Sequence, residues 1–405
     1  MELSQNEIER IVREVLGSVG STAANAGGPL PKTAHVAMLT GPKHFEVKEF
    51  PVPELTDDDI LVRVEGAGVC GTDVHEWRAD PFGLIPVVLG HEGTGEVVYL
   101  GKNIKKDTAG NPLKVGDKLV TSVISCGDCY ICRMVPGRTN LCDAQGVFGL
   151  IGDKRGTAEG NRLNGWFSDY MLIRGKGTTY FRVNELNLNQ RMLLELATVC
   201  VHALERGQST GLLNFNSKVL LQGCGPVGLM MLCVLRAAGI NHVIALDGNE
   251  DRLKLAQALG AKSTICFKRP DEDTLDKRVA KIKELANGVG VDFAYQCTGA
   301  PAAAADIYSY IRRGGGMCEM GFFVNNGEYS VNPHLAMCNK EINIVGSWDY
   351  SASDYPTAVA FLKQCAEMNI PVEKLITHSF PLDRMNEAME TNVAQKGIKI
   401  CYIAK

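Results

Sequence analysis

The amino-acid sequence predicts an α/β protein with a β-rich unit and a doubly wound parallel-sheet unit, preceded by a short amphipathic helix. Three observations predict it. The chain has 405 residues, enough for two or three domains and for burial of about three quarters of its unfolded surface. Between about residue 34 and Tyr180 the pattern is short β-rich segments broken by glycine and proline, with no long helix. From about Leu193 strand patterns alternate with helical ones, which implies parallel βαβ units.

In chain order, residues 4–16 place Ile8, Ile11, Val12, Val15 and Leu16 at helical spacing, with Ser4 ahead of Glu7 as a capping-box start. Residues 17–33 are rich in Gly, Ala and Ser and carry two prolines, so they read as a flexible linker. The helix either docks on its own subunit or serves as a docking tag for another protein. Residues 60–64 and 95–100 are expected strands of the β-rich unit. Residues 219–222, 243–247 and 292–296 are expected parallel strands, with helices starting at about 226 and at Glu250.

Composition narrows the function. A content of 45% hydrophobic and 22% charged residues is that of a globular protein, and a net charge of -4 lacks the basic excess that nucleic-acid binding demands. No run approaches 18 apolar residues, so no membrane span is expected, and Glu2, Glu7, Glu9 and Glu14 break the order of a secretory signal. A cytoplasmic location follows as the expectation, in which the 14 cysteines are thiols or metal ligands rather than disulfides.

Three residue sets carry chemistry. The first is G-C-G-P-V-G, in which Gly223 turns the chain, Gly225 lets a pyrophosphate approach, and Gly228 lets helix and strand pack; Pro226 and Val227 open the helix. Asp247 ends the next strand, where it would accept hydrogen bonds from a ribose diol and repel a 2′-phosphate, favouring NAD over NADP. Arg252 either lines the adenosine site or solvates a helix. The second set is Cys126, Cys129, Cys132 and Cys142, four thiols suited to a closed structural zinc; an iron–sulfur cluster or unliganded cysteines are the rivals. The third is dispersed: Cys70, His91, Glu92 and Glu195 form a mixed donor set that can leave a metal coordination position open, or else are core filler and a strand-end pair.

G-V-C-G-T-D, G-H-E-G-T-G, the four-cysteine lobe and G-C-G-P-V-G occur in the order seen in zinc-dependent medium-chain alcohol and polyol dehydrogenases, which the chain resembles over about residues 34–405. The resemblance implies a GroES-like catalytic domain at 34–192 and 347–405, a Rossmann domain at 193–346, two zinc ions per chain, NAD, and a homodimer or homotetramer. It implies Cys70, His91 and Glu195 as ligands of a catalytic zinc with Glu92 beside it, Asp73 as partner of the ligand histidine, and Thr72 and His75 as a proton relay. Cys200 is an alternative ligand to Glu195, and His202 is expected to be packed. The stretches 107–114 and 149–166 look like insertions, the second bordering the active site or a subunit contact.

The expected activity is hydride transfer between NAD(H) and a small alcohol or aldehyde. Polyol or secondary-alcohol oxidation and a non-catalytic NAD-sensing protein are the alternatives. Residues 1–20 with their linker resemble the encapsulation peptides of bacterial microcompartments, which would place the enzyme inside a protein shell, bound to a shell or cargo protein and recycling NAD.

Overall fold

The computed structural model describes residues 29–150 and 162–405. The amphipathic helix at 4–16, most of the linker at 17–33 and the centre of the 149–166 segment lie outside the described residues.

The β-rich unit is built on two long antiparallel neighbours, the strands Ile60–Gly68 and Glu92–Leu100. Beyond Glu92–Leu100 come Lys118–Thr121 and Tyr180–Arg182. The other edge of Ile60–Gly68 is shared: residues 60–63 pair with the strand Tyr170–Ile173, and residues 66–68 pair with Lys399–Ile403 near the end of the chain. A smaller sheet of His44–Pro51, Thr33–Gly41 and Val87–Val88 lies alongside. Leu39, Val62, Val97, Phe167, Met171 and Tyr402 from both sheets form one apolar cluster, the half-buried alternation expected of antiparallel strands. The 107–114 stretch is a built turn: Asp107 accepts hydrogen bonds from the backbone N–H groups of Asn111 (2.8 Å) and Arg182 (2.9 Å).

The second unit is a six-stranded parallel sheet in the order Ser263–Cys266, His242–Asp247, Lys218–Gln222, Val291–Gln296, Ile311–Glu319, Asn343–Gly346. The first strand in sequence therefore sits beside the second and the fourth, so the order reverses there and opens a crevice at the carboxyl ends of these strands. Nearly continuous apolar runs such as Lys218–Gln222 are what a sheet covered on both faces requires. Helix Pro226–Ala237 starts on a proline, whose missing N–H costs nothing at that position.

Helix Tyr355–Glu367 packs against Leu194–Gln208 and Pro226–Ala237, with Phe361 and Leu362 in the same apolar cluster as Met231 and Leu235. The sequence expectation assigns 347–405 to the β-rich unit, and this helix touches that unit too: the Tyr355 ring stacks on Phe181 at 4.9 Å and its hydroxyl donates to the Thr121 carbonyl. The strand Ile376–Phe380 then pairs with Lys399–Ile403.

The edge of the β-rich sheet is clamped by a buried carboxylate. Asp59 precedes the strand Ile60–Gly68 and accepts both Nε (2.8 Å) and Nη2 (2.6 Å) of Arg174, which follows Tyr170–Ile173. Burial opposes ionisation of Asp59, but the Arg174 and Thr56 hydrogen bonds outweigh it and hold the carboxyl below its usual range. A lowered folded-state pKa adds stability above the unfolded value, near 4, that is lost as pH falls through the folded one. Asp59→Asn is expected to lower the unfolding free energy at pH 7 by about 2 kcal/mol, with the gap to the parent closing towards pH 3. Urea unfolding at both pH values checks this; an equal gap at the two would refute the clamp.

Candidate active site

Cys70 is the residue before helix Gly71–Ala79, and its extended backbone lets the Asp73 carboxylate turn back to accept its N–H at 2.9 Å. The other Asp73 oxygen accepts the N–H of Gly90 at 3.2 Å and lies 3.4 Å from His91 Nδ1. This one fully buried carboxylate therefore fixes both Cys70 and His91, which come from separate segments. The result is that the ligand atoms of Cys70, His91 and Glu92 all lie within 4.8 Å of one another. Thr72 and His75, one helical turn apart, line the same cavity, and the Thr72 hydroxyl is 3.6 Å from the Cys70 sulfur.

The set is short of positive charge. Burial works against a charged imidazole, yet Asp73 and Cys70 outweigh it and raise the His91 pKa well above the ordinary value. Glu195, at the start of helix Leu194–Gln208, lines the cavity just outside the tight group. Burial first, and the Glu92 charge second, push its carboxyl up to about 8. A divalent cation relieves both conflicts, because it replaces the proton on each donor; thiolate, imidazole and carboxylate fit zinc with a position left open. Cys200, by contrast, directs its thiol to the Val227 carbonyl at 3.4 Å, and burial keeps it protonated. Glu195, not Cys200, is the donor that reaches the cavity.

Two residues of this site escaped the sequence reading. Lys399 is 2% exposed and forms an ion pair with Glu92, with Nζ also donating to the Val69 carbonyl at 3.1 Å. The only sequence signal was a lysine opening an otherwise apolar strand. Asp349 also lines the cavity, bonded to Gln145 Nε2 at 2.6 Å, and burial pushes its carboxyl up to about 6. Nothing local to Asp349 distinguishes it from a surface turn aspartate.

The four lobe cysteines converge. Cys126 and Cys132 sulfurs are 4.0 Å apart and those of Cys129 and Cys142 3.9 Å, close to the ~3.8 Å edge of a tetrahedron with Zn–S bonds of ~2.3 Å. Backbone N–H groups of Asp128, Cys129 and Ala144 point at the sulfurs, as thiolates require. The Cys132 N–H draws the Cys129 thiol down to about 6, whereas burial raises Cys132 to about 12, so the cluster lacks the charge to ionise all four without a cation. None of the 14 cysteines is in a disulfide.

The lobe is bolted to the cavity wall. Asn140 Nδ2 donates to the Trp348 carbonyl (2.7 Å), and Ser351 Oγ donates to the Gly137 carbonyl (3.2 Å) and Asn140 Oδ1 (3.0 Å). His202 joins the same network through Asp354 at 3.0 Å, which makes it a packed residue as expected.

The cavity has a volume of about 860 Å³ and is bordered on its far side by Val227, in the first turn of helix Pro226–Ala237, and by Cys297 and Glu319 at the carboxyl ends of two parallel strands. Ala300 borders both it and a second hollow, lined by Asp247, Arg252 and Thr298. Between them, a side chain at Gly228 would strike the Gly223 carbonyl, while the space beside Gly225 is open. Asp247 accepts the Cys224 N–H at 2.7 Å and the Asn249 N–H at 2.8 Å, which aims its carboxylate into the second hollow. Arg252 Nε is buried with no hydrogen-bond partner in the same hollow, so Arg252 lines the site. Open backbone, an aimed carboxylate and an unpaired guanidinium fit an adenine dinucleotide running from this hollow into the main cavity.

The alcohol dehydrogenase GroES-like domain matches residues 56–181, and the zinc-binding dehydrogenase domain matches residues 226–364. The chain is 29% identical to the sorbitol dehydrogenase of Bacillus subtilis, over 89% of this chain and 94% of that protein. It is 30% identical to D-xylulose reductase A of Aspergillus oryzae, over 92% and 98% respectively. An alcohol dehydrogenase structure from Thermotoga maritima superposes with a TM-score of 0.83 at 30% identity, covering 92% of this chain and all of that one. With the donor group, the cysteine lobe and the dinucleotide crevice in one molecule, the chain belongs to the zinc-dependent medium-chain alcohol and polyol dehydrogenases, oxidoreductases that use zinc and a nicotinamide cofactor.

Proposed function

We propose that the chain is an NAD-dependent polyol or secondary-alcohol dehydrogenase, with Cys70, His91 and Glu195 as the catalytic zinc ligands and the four lobe cysteines as the structural ones. The observation that carries the reading is the single cavity in which the Cys70–His91–Glu92 group faces the open end of the dinucleotide crevice. A carboxylate rather than a second thiolate in the donor set, and relatives named for sorbitol and xylulose, favour a polyol. Zinc held by Cys70, His91 and Glu195 would supply Lewis acidity towards a hydroxyl oxygen, and NAD in the crevice would supply the hydride acceptor. The chain supplies the rest. Asp73 holds the His91 ring in place. The Thr72 hydroxyl takes the substrate proton towards the cofactor ribose, and His75 passes it to solvent. Burial, and to a lesser degree Arg78, lower the His75 pKa, so at neutral pH its ring is uncharged and able to accept. Leu196, Val199 and Val227 line the cavity and limit water.

Cys70→Ser should abolish turnover while the protein stays folded, and elemental analysis should fall from about two zinc ions per chain to about one, since an open site adds chemistry and the closed lobe adds structure. Undiminished turnover, or two zincs retained, would refute this ligand assignment.

The preference for NAD rests on Asp247. Asp247→Ser, which removes the repulsion of a 2′-phosphate while Arg252 stays in the hollow, should shift the kcat/KM ratio towards NADP by about 10- to 100-fold. A parent enzyme that already prefers NADP would overturn the assignment.

An assembly of identical subunits is supported by the exposed edge strand Asn343–Gly346, where Ile344 is 43% exposed, and by the exposed Leu335. Delivery to a microcompartment shell is supported by the apolar stripe and tether of residues 1–33. Removing residues 1–20 should leave kcat, KM and the sedimentation coefficient unchanged, while the same residues fused to a fluorescent protein should direct it to shells in cells that make them. Loss of turnover or of the assembly on deletion would mean the helix serves the enzyme's own packing.

A further inference from the structure

Arg138 is the only lysine or arginine lining the catalytic cavity among the described residues. It lies in the 3-10 segment Pro136–Leu141 of the cysteine lobe, between the second pair of zinc-site thiols, Cys132 and Cys142. The backbone kinks at Arg138 (φ -128°, ψ 40°), and both Arg138 and Leu141 line the cavity. The mount is rigid, because Gly137 and Asn140 on either side of Arg138 are both bonded to Ser351. The head group is not used. Its Nε is buried without a hydrogen-bond partner, and among the described residues no ion pair engages the guanidinium although Glu92, Glu195, Glu319 and Asp349 line the same cavity. Glu92 is taken by Lys399 and Asp349 by Gln145.

A guanidinium held firmly, partly desolvated and left unpaired is costly unless a ligand completes it. Its planar fork matches two oxygens of one anionic group, and a neutral hydroxyl satisfies it less well. We propose that Arg138 selects a substrate whose end remote from the reacting carbon carries a phosphate monoester or a carboxylate, so that an anionic polyol is preferred over the neutral polyol of the same length. The inference rests on the reading of this cavity as the alcohol-oxidising site and adds the class of substrate it takes. The fit is local: the reacting end lies with Cys70, His91 and Glu195, whose negative charge bound zinc offsets, and the anion lies at the lobe wall.

Trp348 lines the cavity beside this wall, whereas Trp77 and Trp166 are buried elsewhere, so tryptophan fluorescence reports binding without turnover. The zinc-loaded enzyme with NAD is titrated with ribitol, ribitol 5-phosphate and ribonate, and nicotinamide reduction is followed separately. At least one of the two anions should bind about 10- to 100-fold more tightly than ribitol, and which one does so identifies the anionic group. Arg138→Leu should erase that advantage and Arg138→Lys keep part of it, with zinc content confirming that each variant is folded. Equal binding of ribitol and both anions by the parent enzyme overturns the proposal without recourse to any variant, as does an advantage that survives in Arg138→Leu. Anion-selective binding without reduction of NAD by any alcohol would instead overturn the dehydrogenase reading and leave the role of Arg138 standing.

Discussion

Lys399 and Glu92 are both buried, and each is tolerable there only because of the other. An unpaired ammonium or carboxylate at that depth costs several kcal/mol, so the pair must form for the β-rich unit to close. Burial opposes a charged Lys399, and the Glu92 carboxylate outweighs it, holding the ammonium protonated. The pair joins the last strand, Lys399–Ile403, to the start of Glu92–Leu100, across Gly68, where a side chain would collide with Glu92. His91 immediately precedes Glu92, so the interaction that closes the sheet also sets the depth of the proposed metal donors. The end of the chain is thereby part of the active site, although it contributes no ligand.

Around that pair the molecule spends its buried polar groups on holding donors still. Asp73 serves Cys70, Gly90 and His91 at once. Ser351 and Asn140 fasten the cysteine lobe to the segment that carries Trp348 and Asp349. A structural metal in the lobe would therefore act on catalysis indirectly, by keeping Arg138 and Leu141 fixed against the cavity. The phenyl ring of Phe323 stacks on Trp348, with centroids 4.8 Å apart, and carries the same wall across to the nucleotide-binding side.

Much of this was legible in the residues because it depends on local chemistry. Strand and helix periodicity located Lys218–Gln222 and His242–Asp247, and the starts of Pro226–Ala237 and Glu250–Leu259, to within a residue. Glycine at 223, 225 and 228 announces a backbone that must turn, open and pack within six residues. Four cysteines within seventeen positions meet because the loop between them is short. The meeting of Cys70 with His91 was legible only through the order of motifs, since nothing in their spacing brings them together.

What the tertiary structure decided concerns charge and enclosure, which no window of sequence contains. Lys399 reads as a strand-end lysine until the sheet brings Glu92 to it from 307 positions away. Arg138 reads as a solvated loop arginine until the lobe turns it towards the cavity. Helix Tyr355–Glu367 has the same amphipathic pattern whichever unit it covers, and only the folded chain shows it lying between Leu194–Gln208 and Phe181. The sequence by itself determined the elements, the lobe and the nucleotide turn, because these follow from periodicity and from contacts a few residues apart. The tertiary structure decided which charges are paired and which is left for a ligand, because pairing energy depends on burial and distance between segments that the chain order leaves far apart.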